Sequence, residues 1–522
     1  MRLRQHLFTP DRLRLDAAIM AKLPWLTAQA IWLAALSLTL SAFVFGPWLL
    51  SMGVPATVAL AGLAAVIVGA AAAFMRRGRV GLSLWAEQPG TWAVIVAAGV
   101  VARLTWCALF PATLSSDPQA YYEAAIQLLR EGRYYNIADI VGLDGQSAGA
   151  RVELLALRAP GLSFLLAGWF AVFGPGTWAI VGLNLVIYVA SALVLGLTAR
   201  RLIGQSSVTP VLLIFTIWPK HIGYTGLPLT EGLSLLLLTL CVLLFDLALA
   251  GSRRSLAGAG LAYGAAALVR PSLVLVPAVW AGMAWVASGS RVRQVLSVTM
   301  ATLIGLAVIA PWTARNLRVL GHPVLISTNG GDVLYRANNP LATGNWSLAG
   351  ERNLDVFIQN EVRWNEIGNA WAWEWIRSNP VGFAKLAVRK LGFLWGWEEE
   401  GIIFHMHYPE IAAAGRAFVI TADVIMNGWW FALLCAVAAS LMYQRAALTR
   451  SSLAIGLALT LLLLTAVHML YESHARYHFP FVGALILLAC TGPFLPAPKQ
   501  AERVKVIGDR PRQRALVSSE AS

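Results

Sequence analysis

Charge is scarce in this sequence. Asp, Glu, Lys and Arg together supply 13% of its 522 residues, against 58% hydrophobic residues. Soluble chains of this length carry about twice that share of charge, so a soluble globular fold is excluded. Cysteine is nearly absent. Cys107, Cys241, Cys435 and Cys490 lie inside or at the ends of apolar runs, with no CxxC or Cys/His spacing. That excludes a disulfide framework and a structural zinc site. No P-loop, GxSxG or HExxH motif occurs, which leaves nucleotide-driven, serine-hydrolase and zinc-hydrolase chemistry without a basis. No internal repeat is evident, against an inverted-repeat transporter. A cleavable leader is not expected either: the segment from Met1 to Asp16 is basic and polar, and the first apolar run is too long for a signal h-region.

What the chain has instead is a series of apolar runs of roughly 20 residues, the length that crosses a hydrocarbon core about 30 Å thick. About twelve spans are predicted, at roughly 25–51, 54–75, 91–112, 178–199, 207–226, 229–250, 255–270, 271–288, 295–314, 417–442, 453–471 and 478–495. The fold class is therefore an all-α polytopic membrane protein. Net charge is +14. Most of the basic residues cluster between apolar runs, at Arg76–Arg79, Arg200-Arg201, Arg253-Arg254, Arg291–Arg293, Arg445–Arg450 and in the tail from Arg503 to Arg514. This is the positive-inside pattern plus attraction to anionic lipid, and it does not imply nucleic acid.

Placing those clusters inside puts both termini inside. The apolar piece Gly161–Phe173 then cannot cross, because 91–112 and 178–199 already carry the chain out and back. With the amphipathic stretch Pro118–Glu131 it is expected to lie on the outer surface, Gly132 ending the latter helix. Five regions follow: 1–90, a basic N-terminus and two additional spans; 91–314, a helical core with a first outer loop at 113–177; 315–416, a mixed outer loop region; 417–495, the C-terminal spans; and 496–522, a basic inner tail. Non-membrane residues are concentrated on the outer side, so chemistry is expected there.

Ionisable residues at a membrane boundary are costly and call for a reason. Asp117 precedes Pro118, a good N-cap arrangement that also suits a reactive carboxylate. Glu231 opens an apolar span, where the helix dipole favours an acid. Lys220, His221 and Tyr224 stand nearby. Arg158, Arg270, Arg315, Arg318 and Arg476 all fall on the side that the topology rule depletes of cations. Snorkelling to headgroups accounts for any one of them. As a set they match an anion held at the outer surface, and arginine suits phosphate through paired hydrogen bonds. Glu398-Glu399-Glu400 reads as a solvated run. His405 and His407 have metal-binding residue types without a metal-site pattern. The tryptophans at 346, 364, 371, 373 and 375 read as core or interfacial anchors rather than a carbohydrate platform.

Several short stretches resemble, in order, the integral-membrane GT-C glycosyltransferases, in particular the branch of families 39 and 83 that contains bacterial protein O-mannosyltransferases and lipid A aminoarabinose transferases. They are Asp117-Pro118-Gln119-Ala120-Tyr121-Tyr122 with Gly132-Arg133-Tyr134-Tyr135; Arg158-Ala159-Pro160-Gly161 with Phe173-Gly174; Leu229-Thr230-Glu231; Leu268-Val269-Arg270-Pro271; Pro311 to Asn316; Ser327 to Gly331 with Asn338-Asn339-Pro340; and Arg476-Tyr477. The match runs over about 91–495. It departs where the family often has Asp-Glu or Asp-x-Asp: here Asp117 is followed by Pro.

The resemblance implies a GT-C-like bundle and a polyprenyl-phosphate-linked sugar donor. It implies inverting transfer to an acceptor hydroxyl of a protein, lipid or glycan, at the periplasmic face of a bacterial inner membrane. Asp117 and Glu231 are then the expected catalytic pair, and Arg158, Arg270, Arg315 and Arg476 the donor-phosphate clamp. Tyr121, Tyr122, Tyr135, Lys220 and Asn329 are the expected substrate contacts. No metal ligand is assigned and no cofactor is required, with a divalent cation left open by the altered first motif. A flippase for lipid-linked sugars and a lipid-diphosphate glycan ligase or polymerase are the alternatives; the flippase reading calls for charges inside the spans.

Overall fold

The computed structural model describes residues 88–141, 147–345, 347, 350–398, 416–443, 448 and 451–491. The expected spans at 25–51 and 54–75, the basic tail, Glu399, Glu400, His405, His407 and Trp346 lie outside the described residues.

The described chain is helical apart from one antiparallel hairpin. In chain order, α1 is Pro89–Leu109, α2 Ser116–Glu131, β1 Asn136–Val141, β2 Ser147–Leu154, α3 Gly161–Phe173 and α4 Thr177–Leu202. There follow α5 Val208–Thr216, α6 Pro219–Gly223, α7 Thr230–Leu249, α8 Arg253–Val269, α9 Val276–Val286 and α10 Arg291–Leu320. The outer-loop region supplies α11 Gly330–Ala337, α12 Glu361–Ser378 and α13 Pro380–Trp395, and the chain closes with α14 Arg416–Tyr443, α15 Ser452–Leu470 and α16 Val482–Ala489.

Among the described residues, six helices are long and apolar enough to cross a membrane: α1, α4, α7, α10, α14 within Thr421–Leu441, and α15. The apolar runs expected at 207–226, 271–288 and 478–495 are shorter helical stretches; the first is interrupted at Pro219, the second opens at Pro271 and the third holds Pro480 in its opening 3-10 turn. Proline lacks the N–H that a continuing helix needs, so the first run breaks at Pro219 and the other two begin as 3-10 turns. Helix α3 has 13 residues and reaches only about 20 Å, too short to span. It packs against α2, whose C-terminal Gly132 is left-handed at φ 68° and ends the helix as expected.

The bundle core is sealed by large rings and by close helix contacts. Trp218, Trp280, Trp395 and Trp430 have no solvent exposure. Helices α8 and α10 pack backbone to backbone, since a Cβ on Gly264 would come within 2.7 Å of the Gly305 carbonyl oxygen. Small residues let two membrane helices approach this closely. A second, smaller core holds α11 and α12 together around Leu334, Tyr335, Leu354, Trp364 and Ala372.

Polar contacts mark two ends of the bundle. Helix α7 runs from Glu231 at one end to Asp246 near the other. At the Asp246 end, Arg201 of α4 pairs with Asp246, which also accepts from Ser452 Oγ at 2.5 Å. At the Glu231 end the starts and ends of α2, α7, α8 and α15 gather, and the candidate site lies there.

Candidate active site

Helix α2 begins at Ser116, whose φ of 54° is the only positive value among the described non-glycine residues. Holding a side chain in that region costs roughly 1–2 kcal/mol and points to an imposed geometry. Asp117 therefore sits in the first turn rather than at the N-cap, and its carboxylate bonds to other elements. Oδ1 accepts from Arg158 Nη2 at 2.8 Å and Oδ2 accepts from Arg476 Nη2. Glu231 opens α7, buried, with Arg270 Nη1 at 3.6 Å and Arg476 Nε at 3.8 Å from its Oε1. Arg476 thus bridges the two carboxylates. Tyr477 underlies the group, with the Arg270 and Arg476 guanidiniums 5.1 and 5.3 Å from its ring centre.

Three guanidinium charges against two carboxylates leave one surplus positive charge. Burial pushes the Asp117 carboxyl up, but Arg476 first and Arg158 second outweigh that and bring it down to about 2. In this arrangement Asp117 is a firm anion and a weak base.

Each arm of the arginine cluster is fixed from behind. The Arg158 arm hangs on Glu361 of α12, which accepts the backbone N–H of Leu155 at 2.5 Å and of Ala156 at 3.0 Å, and the Thr328 hydroxyl at 2.7 Å. Gly161 lets this arm lie on the end of α8, because any Cβ there would stand 2.8 Å from the Leu268 carbonyl oxygen. That contact sets Arg158 beside Arg270. The Arg476 arm is held through Lys220, whose ammonium donates to the Ala475 carbonyl at 3.0 Å and pairs with Glu398 at 3.2 Å. Glu398 also contacts His478 Nε2 at 2.5 Å and accepts from Trp218 Nε1 at 2.9 Å.

The structure thus gathers Asp117, Glu231, Arg158, Arg270 and Arg476 from five distant points of the sequence. Tyr121 lies beside them, 5.8 Å beneath Arg158. Other expected contacts lie elsewhere. Arg315 donates to the Leu155 and Tyr134 carbonyls at 2.6 and 2.8 Å, bracing the loop instead of facing the cluster. Lys220 is wholly buried in its ion pair. Tyr122 packs on Phe170, and Tyr135 donates to Glu131 at the far end of α2. Asn329 accepts from Ser327 at the start of α11. Glu398 is fully buried, which corrects the expectation that this position is solvated: a lysine pairs with it and a histidine contacts it, from two other segments.

Two residues escaped sequence reading. Arg103, in α1, is fully buried and donates to the Gly99 and Thr216 carbonyls and to His221 Nδ1. The helix break at Pro219 leaves the Thr216 carbonyl without its usual partner, and Arg103 supplies one. Glu472 lies in the turn between α15 and Arg476, close to the cluster; an acid in so short a turn between two apolar runs was its only signal. Among the described residues no three His, Cys, Asp or Glu are grouped as a metal site would need.

No protein-family model matches the chain, and no curated protein matches it as a relative. Among solved structures, the apo oligosaccharyltransferase of Archaeoglobus fulgidus is similar over 77% of this chain and 50% of its own, at 11% identity and a TM-score of 0.47. ArnT of Cupriavidus metallidurans bound to undecaprenyl phosphate is similar over 77% of each chain, at 15% identity and a TM-score of 0.39. The chain spans about half the length of the oligosaccharyltransferase it matches. Both are GT-C glycosyltransferases. At these identities the likeness is one of chain path alone.

Proposed function

We propose that this chain is an inverting glycosyltransferase of the cell envelope. It would take a sugar from a polyprenyl-phosphate donor and pass it to an acceptor hydroxyl at the periplasmic face of a bacterial inner membrane. The observation that carries this reading is the surplus positive charge of the Arg158–Arg270–Arg476 cluster at one end of an apolar bundle. A sugar phosphodiester carries one negative charge, the amount the cluster lacks.

A small apolar cavity lies near Arg270. Leu238, Val276, Val279, Leu464 and Phe481 line it, and Ser272, two residues from Arg270, stands in its wall with its hydroxyl unpartnered. A phosphate at Arg270 would place the start of its prenyl chain beside these apolar side chains.

The chemistry follows from the charges. The leaving group is a phosphate, stable as an anion, so it calls for cations more than for a general acid. Arg158 and Arg476 would turn from Asp117 to the phosphate as the donor enters. Asp117, relieved of two cations, regains basicity and takes the acceptor proton. The acceptor oxygen bonds to the anomeric carbon, the bond to the phosphate oxygen breaks, and the electron pair leaves with the phosphate. A single displacement inverts the anomeric centre.

The test is sugar transfer from a panel of labelled polyprenyl-phosphate sugars in membranes holding the full chain, with envelope material as acceptor. Transfer with inverted configuration, lost in Asp117→Asn while the protein remains folded and inserted, is expected. Retained configuration, or transfer from diphosphate lipids only, overturns the reading.

A further inference from the structure

Buried polar atoms find partners in nearly every protein, so a group of orphans in one place calls for an explanation. Three lie within six residues of each other beside the arginine cluster. Glu472 Oε2, Ser473 Oγ and His468 Nε2 are all buried and, among the described residues, all lack a hydrogen-bond partner, in residues between 0 and 7% exposed.

The three belong to one assembly. His468 Nδ1 lies 2.8 Å from the Glu472 carbonyl, and its ring stacks on Tyr477 at 4.7 Å between centres. The Tyr477 hydroxyl donates to Glu472 Oε1. The same Tyr477 ring underlies Arg270 and Arg476. Glu472 is therefore one aromatic ring away from the guanidiniums that face Asp117 and Glu231. It differs from both: among the described residues it forms no ion pair.

We propose that the carboxyl of Glu472 is the seat for one hydroxyl of the transferred sugar. This rests on the glycosyltransferase reading. Position supports it, because the sugar must hang from the phosphate that the arginines would hold. Chemistry supports it too. Burial raises the Glu472 carboxyl above its ordinary range, against the pull of the Tyr477 hydrogen bond and the Arg476 charge. Asp117 raises it further, and Arg336 lowers it. The upward direction favours the protonated form, in which a carboxyl offers a donor as well as an acceptor, the pair that a sugar hydroxyl matches. A site built for a hydroxyl discriminates sharply against its absence, since the buried group is then left unpaired.

The experiment uses the full-length chain and the donor that the wild type transfers best, together with its monodeoxy analogues, one for each hydroxyl. Wild type, Glu472→Gln and Glu472→Ala are compared by kcat/KM. In wild type one deoxy position is expected to cost about 100-fold or more. In Glu472→Ala that penalty shrinks at least tenfold, while the other deoxy penalties stay unchanged. Glu472→Gln, neutral and able to donate and accept, keeps most activity and keeps the penalty. Deoxy penalties that are all unchanged in Glu472→Ala overturn the proposal and leave the orphans to held water. Glu472→Gln as inactive as Glu472→Ala, with donor binding intact, also overturns it and makes Glu472 a proton acceptor. Wild type that transfers no donor sugar at all refutes the underlying reading instead, a result distinct from either.

Discussion

Asp117 and Arg476 stand 359 residues apart in sequence and share a hydrogen-bonded ion pair at the centre of the candidate site. Arg476 also reaches Glu231, so one side chain ties the first outer loop and the start of α7 to the turn before the last apolar run. The pair means that the guanidiniums are already engaged by the protein's own carboxylates. On the proposed reading, a donor phosphate competes with Asp117 for them. Asp117→Asn removes the competing charge, so binding of sugar-free polyprenyl phosphate should tighten by about tenfold, equivalent to roughly 1.4 kcal/mol. Sugar transfer should fall by about 100-fold or more, the usual contribution of a positioned base. Equilibrium binding of a labelled lipid phosphate, measured beside turnover, checks both. Weaker phosphate binding in Asp117→Asn would show that the carboxylate organises the clamp and does not compete for it.

The same pair sets an acid limit. Asp117 is held down at about 2, against an ordinary 3.8. A lowered carboxylate contributes stability that is complete above its unfolded value and is lost as pH falls through its folded value. The contribution is about 2–3 kcal/mol at neutral pH, and it drains away between roughly pH 4 and 2. Thermal unfolding of wild type and Asp117→Asn in detergent should differ most above pH 5 and converge as pH falls toward 2. Parallel curves across that window would mean that the pair adds no net stability.

Much of this site was legible in the sequence, and what was missed has a physical reason. Asp117, Glu231, Arg158, Arg270 and Arg476 stood out because a charge at the edge of an apolar run costs energy and so marks a constraint. Helix α3 was legible as non-spanning because its length and the charge bookkeeping agreed. Pairings over 178 and 80 residues, such as Lys220 and His478 with Glu398, were not legible. Nothing local distinguishes a buried glutamate from a solvated one in a Glu-Glu-Glu run. Arg315 misled for the converse reason: its position resembles that of the clamp arginines, yet its job is to satisfy two loop carbonyls. Arg103 was hidden inside an apolar run, where its partners are carbonyls and an imidazole rather than a carboxylate.

The buried Glu398 should be the most sensitive polar residue outside the cluster. Glu398→Ala leaves the Lys220 ammonium buried without its anion, a loss of about 3–5 kcal/mol. Glu398→Leu combined with Lys220→Met replaces the charges with apolar volume, and much of that loss should return. Donor affinity should not recover in the double variant, because Lys220 also fixes the Ala475 carbonyl next to Arg476. Thermal unfolding and lipid-phosphate binding, measured on the same three proteins, separate the two effects. Recovery of both together would remove Lys220 from any role in placing Arg476.

The apolar cavity near Arg270 offers a test that separates the lipid from the headgroup. Leu464 of α15 and Val279 of α9 both line it. Leu464→Trp adds bulk where, on the proposed reading, a prenyl chain would lie, and it changes no charge near the phosphate. Each buried methylene of a lipid chain is worth about 0.8 kcal/mol, so excluding even a few isoprene units should raise KM by a large factor. A donor with only one or two isoprene units does not reach far beyond the phosphate, and its kcat/KM should change little. Equal losses for short and long donors would mean that the substitution has disturbed the helices, or that the lipid lies elsewhere. A selective loss for the long donor would place the chain between α9 and α15, and would orient the phosphate toward Arg270 by continuity.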